Sequence, residues 1–325
     1  MKKALLIGVN EYPNGNELFG CVEDINCVNE VIAQNGDGSP NFSVKLLANI
    51  KRGKDAMKEI KNLFHGDGEC ALLYFSGHGY LNDVGGEIVF PDGIESDSYY
   101  TGIKMNDILK QAEKSKIRNK VIILDCCHSG AVGNYETQSE SCHIGSGISI
   151  LTACREDEYA MECGGHGLFT EQLCNALRGG AADFCGNITI GGIYAYIDRT
   201  FGPWQQRPTF KTNVTEFSPL KKVEPKVPLY IIRKLVDLFP TPNAIHSLDP
   251  SYEFTNTPQV SHEIIRPYAD PENVKTFKML QKLQSIGFVE PLGSEHMYFA
   301  AMKSQGCKMT PLGQHYWKLV NDKQI

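Results

Sequence analysis

The sequence has no apolar run approaching the roughly 18 residues needed to cross a bilayer, because charge or glycine interrupts every long one. It has no C-x-x-C pair. Its eleven cysteines are odd in number and irregularly spaced, which argues against a disulfide framework or a zinc ribbon. The one Cys/His stretch, "MECGGHG" with Cys163 and His166, lacks a second half at zinc-finger spacing. Basic charge is also in deficit. A formal net charge of -6 argues against a protein devoted as a whole to nucleic acid. The opening "MKKALLIGVNEY" has a basic dipeptide and a short apolar run but no small-residue cleavage site, so it reads as a buried first strand. A cytoplasmic protein with mostly reduced, buried thiols is the expectation. Internal repeats and low-complexity tracts are missing as well.

What remains is an ordinary globular composition, 42% hydrophobic and 22% charged, over 325 residues. That length suits about two domains. Up to about residue 215 the chain alternates apolar, β-rich runs with amphipathic stretches. Strands are expected at "KALLIGV" (3–9), "FSVKLLAN" (42–49), "CALLYFS" (70–76), "KVIILDC" (120–126) and "GISILTAC" (147–154). Helical patterns occupy 21–34, 54–65 and 104–114. Continuous runs such as "VIIL" suit strands covered on both faces, and the β-α order predicts a mainly parallel sheet flanked by helices. Two further helices, "GLFTEQLCNALRG" and "IGGIYAYIDRTF", follow, and "QRPTF" returns as a sixth strand.

"SPLKKVEPKVPLY" mixes proline and lysine without an apolar period, as a linker does. The expected division is a domain over 1–217, a linker over 218–228 and a second domain over 229–325. In the last, "VKTFKMLQKLQSIGFVEPL" reads as an amphipathic helix closed by Gly287. "HMYFAAMKSQGCKMTPLGQHYWKLV" reads as an extended piece, a turn and a final helix. Together these suggest a small α+β module of winged-helix type. Tyr298, Phe299, Tyr316 and Trp317 are expected in its core.

Chemistry points to two strand ends. In "YFSGHGY" two glycines bracket His78, so the chain can turn sharply there with little bulk shielding the imidazole. Ligands of open α/β sheets bind at such carboxyl ends. The next long strand ends in "LDCCHSG". If the two strands are neighbours, a cysteine at the second tip lies within reach of His78. A cysteine attacks as thiolate, and a nearby histidine can take its proton and later return it to a leaving amine. That is acyl-transfer chemistry.

"YFSGHGY" followed by "DCCHSG" resembles the caspase-like cysteine peptidases, most of all the metacaspases and their bacterial relatives. The separation of 49 residues between His78 and Cys127 is close to the roughly 50 of caspases. "ALLIGVNEY", "LFGCVEDI" and "ILTACREDEYAMECGGHGLFTEQL" extend the resemblance over about residues 3–212. It implies a caspase-like fold with Cys127 as nucleophile, His78 as base, and the backbone N–H groups of Gly79 and Cys127 as oxyanion hole. Strand alternation sends Cys126 the other way, into packing, and points His128 away from its neighbour Cys127. The resemblance further implies an acidic specificity pocket formed by Cys21, Asp24, Ser76 and Asp125. Two carboxylates there would receive arginine, then lysine, and not aspartate. Family members are often linked to defence or regulated cell death, so a bacterial-type protease of that kind is implied.

Metacaspases often need calcium. The candidate here is a loop, "GGEIVFPDGIESDSYY", with Glu87, Asp92, Glu95 and Asp97 but no adjacent Asp pair. Its spacing fits calcium and a solvated loop equally, and no cofactor is expected as the first reading. Between Lys120 and Arg155 there is no Lys or Arg, and between Asp125 and Asp157 no Asp. Self-cleavage after the nucleophile is therefore not expected, and the chain should act uncut. Beyond residue 223, eleven Lys/Arg face ten Asp/Glu, a balance of +1. That favours a protein partner or activator for the second domain over nucleic acid.

Overall fold

The computed structural model describes residues 1–82, 85–96, 99–126, 144–153, 162–163, 166–202, 207–254, 261–263, 265–266 and 268–325. The chain divides into two compact units, Met1–Val223 and Glu224–Ile325.

The first unit is built on a six-stranded sheet in the order β12-β8-β7-β3-β1-β2. Its strands are β1 (Lys2–Gly8), β2 (Phe42–Ala48), β3 (Cys70–Ser76), β7 (Asn119–Asp125), β8 (Ile148–Thr152) and β12 (Thr209–Asn213). The first five run parallel, and β12 closes the edge antiparallel to β8. The expected mainly parallel α/β sheet is thus present, with the return strand that "QRPTF" suggested.

Every residue of β3 and β7 is buried, which is why apolar residues run without a break from Cys70 to Phe75 and from Val121 to Leu124. Successive side chains leave to opposite faces. Leu73, Phe75, Ile122 and Leu124 join a core with α2 (Gly53–Phe64) and α3 (Met105–Lys114). Leu72, Tyr74, Val121 and Ile123 join the opposite core with α1 (Cys21–Ile32), α4 (Leu168–Asn175) and α5 (Ile190–Thr200).

Between β3 and α3 stands a separate antiparallel sheet of β4 (Gly79–Asn82), β5 (Gly85–Ser96) and β6 (Tyr99–Lys104). The acidic stretch expected as a loop is therefore mostly strand. Ile88, Val89, Phe90, Ile94 and Ile103 pack into the core and outweigh the glycines and acids between them. Two short ladders complete the unit: β9 (Glu162–Cys163) with β10 (His166–Gly167), and β11 (Asn187–Ile188) with β13 (Lys221–Lys222). Leu220 is buried and β13 pairs within this unit, so the first residues of the stretch 218–228 are structured.

The second unit holds α6 (Leu229–Arg233), α7 (Leu235–Leu238), β14 (Ile245–Ser247), α8 (Pro271–Ser285), β15 (Val289–Pro291), α9 (Met297–Met302), β16 (Gly306–Met309) and α10 (Pro311–Asn321). Its three strands form an antiparallel sheet in the order β14-β16-β15. The Asp270 side chain caps α8 by accepting from the backbone N–H of Glu272 and Asn273, with Pro271 opening the helix. Residues 297–302, read from sequence as extended, are helical. Burial of Met297, Ala300 and Ala301 along one face outweighs the β preference of Tyr298 and Phe299. Phe299 is exposed rather than in the core, while Tyr316 stacks on Phe288 with ring centres 4.5 Å apart. Trp317 Nε1 donates to the Phe239 carbonyl at 2.7 Å.

Candidate functional site

The carboxyl ends of β1, β3 and β7 meet in register: Gly8 opposes Ser76, and Ser76 opposes Asp125. Ser76 and Asp125 both follow the strand phase of Tyr74 and Ile123, toward α1 and α4. Gly8 lets α1 begin directly over the tip of β1; a Cβ there would lie 2.3 Å from the Cys21 carbonyl oxygen. That close approach seats buried Cys21 as the first residue of α1 and brings Asp24 over Ser76.

Two carboxylates are sunk at this point, Asp24 at 2% and Asp125 at 6% exposure. Asp24 Oδ2 accepts from Ser76 Oγ at 2.9 Å, and its Oδ1 accepts from the Gly167 backbone N–H at 3.3 Å. Asp125 Oδ2 accepts from Thr170 Oγ1 at 2.7 Å. Thr170 has one hydroxyl hydrogen, and that bond uses it. The Tyr74 hydroxyl, 2.5 Å from Thr170 Oγ1, is therefore the donor in its own contact. The relay runs Tyr74 to Thr170 to Asp125. Burial, followed by the charges of Asp125 and Asp24, pushes the Tyr74 phenol well above its ordinary range, so it keeps the proton it donates. Gly167 sits against both acids: a Cβ would fall 2.6 Å from Asp125 Oδ2 and 3.5 Å from Asp24 Oδ2. Any side chain at 167 would fill the space between them.

His78 lies half-buried just past β3. Its Nε2 is 2.7 Å from the Asn16 carbonyl oxygen, a contact that requires Nε2 to carry hydrogen and leaves the Nδ1 lone pair as the basic position. Tyr12 braces it from below. The Tyr12 hydroxyl accepts from the His78 backbone N–H at 3.0 Å and donates to the Val89 carbonyl at 3.1 Å, and the two rings lie 4.5 Å apart. Burial pushes the Tyr12 phenol up, so it stays a donor. Gly79 opens β4 opposite Ile88. Cys126 is fully buried in the same core layer as Leu124. Cys127 and His128 lie outside the described residues.

The site thus brings together Cys21, Asp24, Ser76 and Asp125 and sets His78 two residues past Ser76, beyond the tip of β3. Sequence reasoning did not single out Tyr12, Asn16, Gly167 or Thr170. The only sequence signal was their presence within the quoted stretches "ALLIGVNEY" and "GGHGLFTEQL" or beside them.

Two of the calcium candidates accept backbone hydrogen bonds. Glu87 is buried and accepts from the Gly102 backbone N–H at 2.7 Å; Asp92 accepts from the Gly53 backbone N–H at 3.0 Å, at the start of α2. Among the described residues no three His, Cys, Asp or Glu gather to hold a metal. Asp97 and the Glu95 side chain lie outside the described residues. Among the described residues no helix is long and apolar enough to cross a membrane.

The mainly parallel sheet thus carries His78 just past β3 and Asp125 at the end of β7, with Asp24 reaching in from α1. The caspase-domain model matches residues 1–217, and the chain belongs to that family of cysteine peptidases. Metacaspase-1 of Candida albicans is 28% identical over 153 residues, covering 40% of this chain and 34% of the relative. Metacaspase-1 of Mycosarcoma maydis is 25% identical over 224 residues, covering 56% of this chain and 54% of the relative. The chain thus spans about a third to a half of the length of these curated relatives. Among solved structures, caspase-1 of Spodoptera frugiperda superposes with a TM-score of 0.47 at 15% identity, over 68% of this chain and 91% of that one.

Proposed function

We propose that the protein is a cysteine endopeptidase that cuts after arginine, and less readily after lysine, with Cys127 as nucleophile and His78 as general base. The observation that carries the specificity is the pair of buried carboxylates, Asp24 and Asp125, converging on the side-chain-free surface of Gly167. Such a pair favours a cation and repels an aspartate, and the planar guanidinium can meet it through two hydrogen bonds.

For the dyad, the support is the register of β3 and β7. Ser76 and Asp125 are paired, and His78 and Cys127 each stand two residues further along the chain. In this reading the Nδ1 of His78 takes the thiol proton, the thiolate attacks the scissile carbonyl, and the imidazolium returns the proton to the leaving amine. The backbone N–H groups of Gly79 and Cys127 receive the oxyanion. Water then resolves the acyl-enzyme with His78 again as base. No step uses a metal. A setting in defence or regulated cell death, in the cytoplasm, belongs to the same reading, as does recruitment of a protein activator through the second unit.

Fluorogenic peptides differing only at the residue before the scissile bond test this. The expected order is Arg, then Lys, with Asp uncut. In Asp125→Asn the amide oxygen can still accept from Thr170, yet one charge-assisted contact to the substrate is lost. That contact is worth about 1.5–3 kcal/mol, or roughly 10- to 150-fold in kcat/KM for arginine. Preference for aspartate, or an unchanged arginine rate in the variant, would overturn the assignment.

A further inference from the structure

Away from the strand tips, two thiols are set up for chemistry of their own. Cys27 on α1 and Cys174 on α4 are 147 residues apart in sequence, yet their sulfurs are 2.8 Å apart. A disulfide bond is about 2.05 Å long, so the pair need close by only about 0.75 Å. Cys27 is partly open to solvent and Cys174 is buried behind it. Arg178, one turn past Cys174, donates from Nη2 to Cys27 Sγ at 3.5 Å and ties that sulfur to the α4 side of the seam. Burial pushes the Cys174 thiol well above its ordinary range, so at rest it is a protonated, inert partner.

The position is as informative as the distance. Cys27 follows Asp24 by three residues on α1, and Cys174 follows Thr170 by four on α4, so each thiol shares a helix face with a residue of the acidic pocket. We propose that Cys27 and Cys174 are an oxidation site, forming a reversible disulfide with a hydroperoxide as oxidant and stapling α1 to α4 one helical turn from Asp24 and Thr170.

Cys27 Sγ attacks the peroxide O–O bond. An S–O bond forms, the O–O bond breaks, and the leaving oxygen departs with the thiol proton, as water when the oxidant is hydrogen peroxide. Cys174 Sγ then attacks the sulfenic sulfur; the S–S bond forms, the S–O bond breaks, and the hydroxyl leaves as water with the Cys174 proton. The two sulfurs give up two electrons and the peroxide receives them. A dithiol reductant reverses the step.

The site does not depend on the peptidase reading, and neither does its test. Reduced full-length chain carrying Cys127→Ala, which removes one competing thiol, is treated with hydrogen peroxide, alkylated and digested without reductant. The expected product is a peptide cross-linked through Cys27 and Cys174, assigned by fragment ions and lost on reduction. It should be missing when either residue is serine. Because the bond closes a loop of about 147 residues, the oxidised chain should melt at least about 5 °C higher than the reduced one. Oxidation of Cys27 to sulfinic acid without a cross-link, a bond from Cys27 to another cysteine, or no cross-link at doses that oxidise other thiols would each overturn the proposal.

Discussion

Replacing Thr170 by valine keeps the shape of the side chain and deletes the centre of the Tyr74–Thr170–Asp125 relay. Thr170 is 1% exposed, donates to Asp125 at 2.7 Å and receives Tyr74 at 2.5 Å, so water cannot readily take its place. The bond to a carboxylate is worth about 1.5–3 kcal/mol, and a buried phenol left without its partner adds about 1–3 kcal/mol. The extra buried methyl group of valine offsets up to about 1 kcal/mol. A net loss of about 1.5–6 kcal/mol follows. For a unit of 223 residues this lowers the melting temperature by about 3–13 °C, read by calorimetry or by a thermal scan of circular dichroism. Thr170→Ser keeps the hydroxyl and loses only the methyl, so it should stay within about 1 kcal/mol of the parent. A valine variant melting within about 2 °C of the parent, or a serine variant as unstable as the valine one, would refute the relay.

Two further outcomes follow from buried acids and from the loop composition. Burial pushes the Cys70 thiol up to about 12 and raises the phenols of Tyr12 and Tyr74, whereas in the unfolded chain these groups ionise at their ordinary values. The unfolded state therefore binds fewer protons above about pH 8.5. Stability should be whole below that pH and fall as pH rises toward 12, with a shallower fall in Tyr12→Phe, as urea midpoints at stepped pH will show. Prolonged incubation of active protein should leave the stretch from 131 to 154 intact, since no Lys, Arg or Asp lies within it; a self-made cut there, seen by mass spectrometry, would contradict the arginine-directed, uncut-chain reading.

Legibility in the sequence followed the range of the interactions. Strands β1, β3 and β7 were readable because burial of their central residues on both faces leaves apolar runs from Ala4 to Ile7, Cys70 to Phe75 and Val121 to Leu124. The neighbourhood of Ser76 and Asp125 followed once two such strands were adjacent. What was not readable depended on distant partners. Tyr12 earns its role only by meeting His78, 66 residues away, and Gly167 by donating to Asp24 across 143. β5 was hidden because Glu87 and Asp92 look like solvated loop acids until their backbone donors, Gly102 and Gly53, are seen. In α9, six residues are too few for a 3.6-residue period to stand out against Tyr298 and Phe299.

Cys127, not its neighbour Cys126, is the proposed nucleophile of an arginine-reading peptidase. An arginyl peptide bearing an electrophilic ketone tests it in one measurement, by peptide mapping of the labelled chain. A single adduct on Cys127, not formed by the aspartyl analogue and lost in His78→Ala, is the result expected. An adduct on Cys126, or equal labelling by the arginyl and aspartyl probes, would contradict the account.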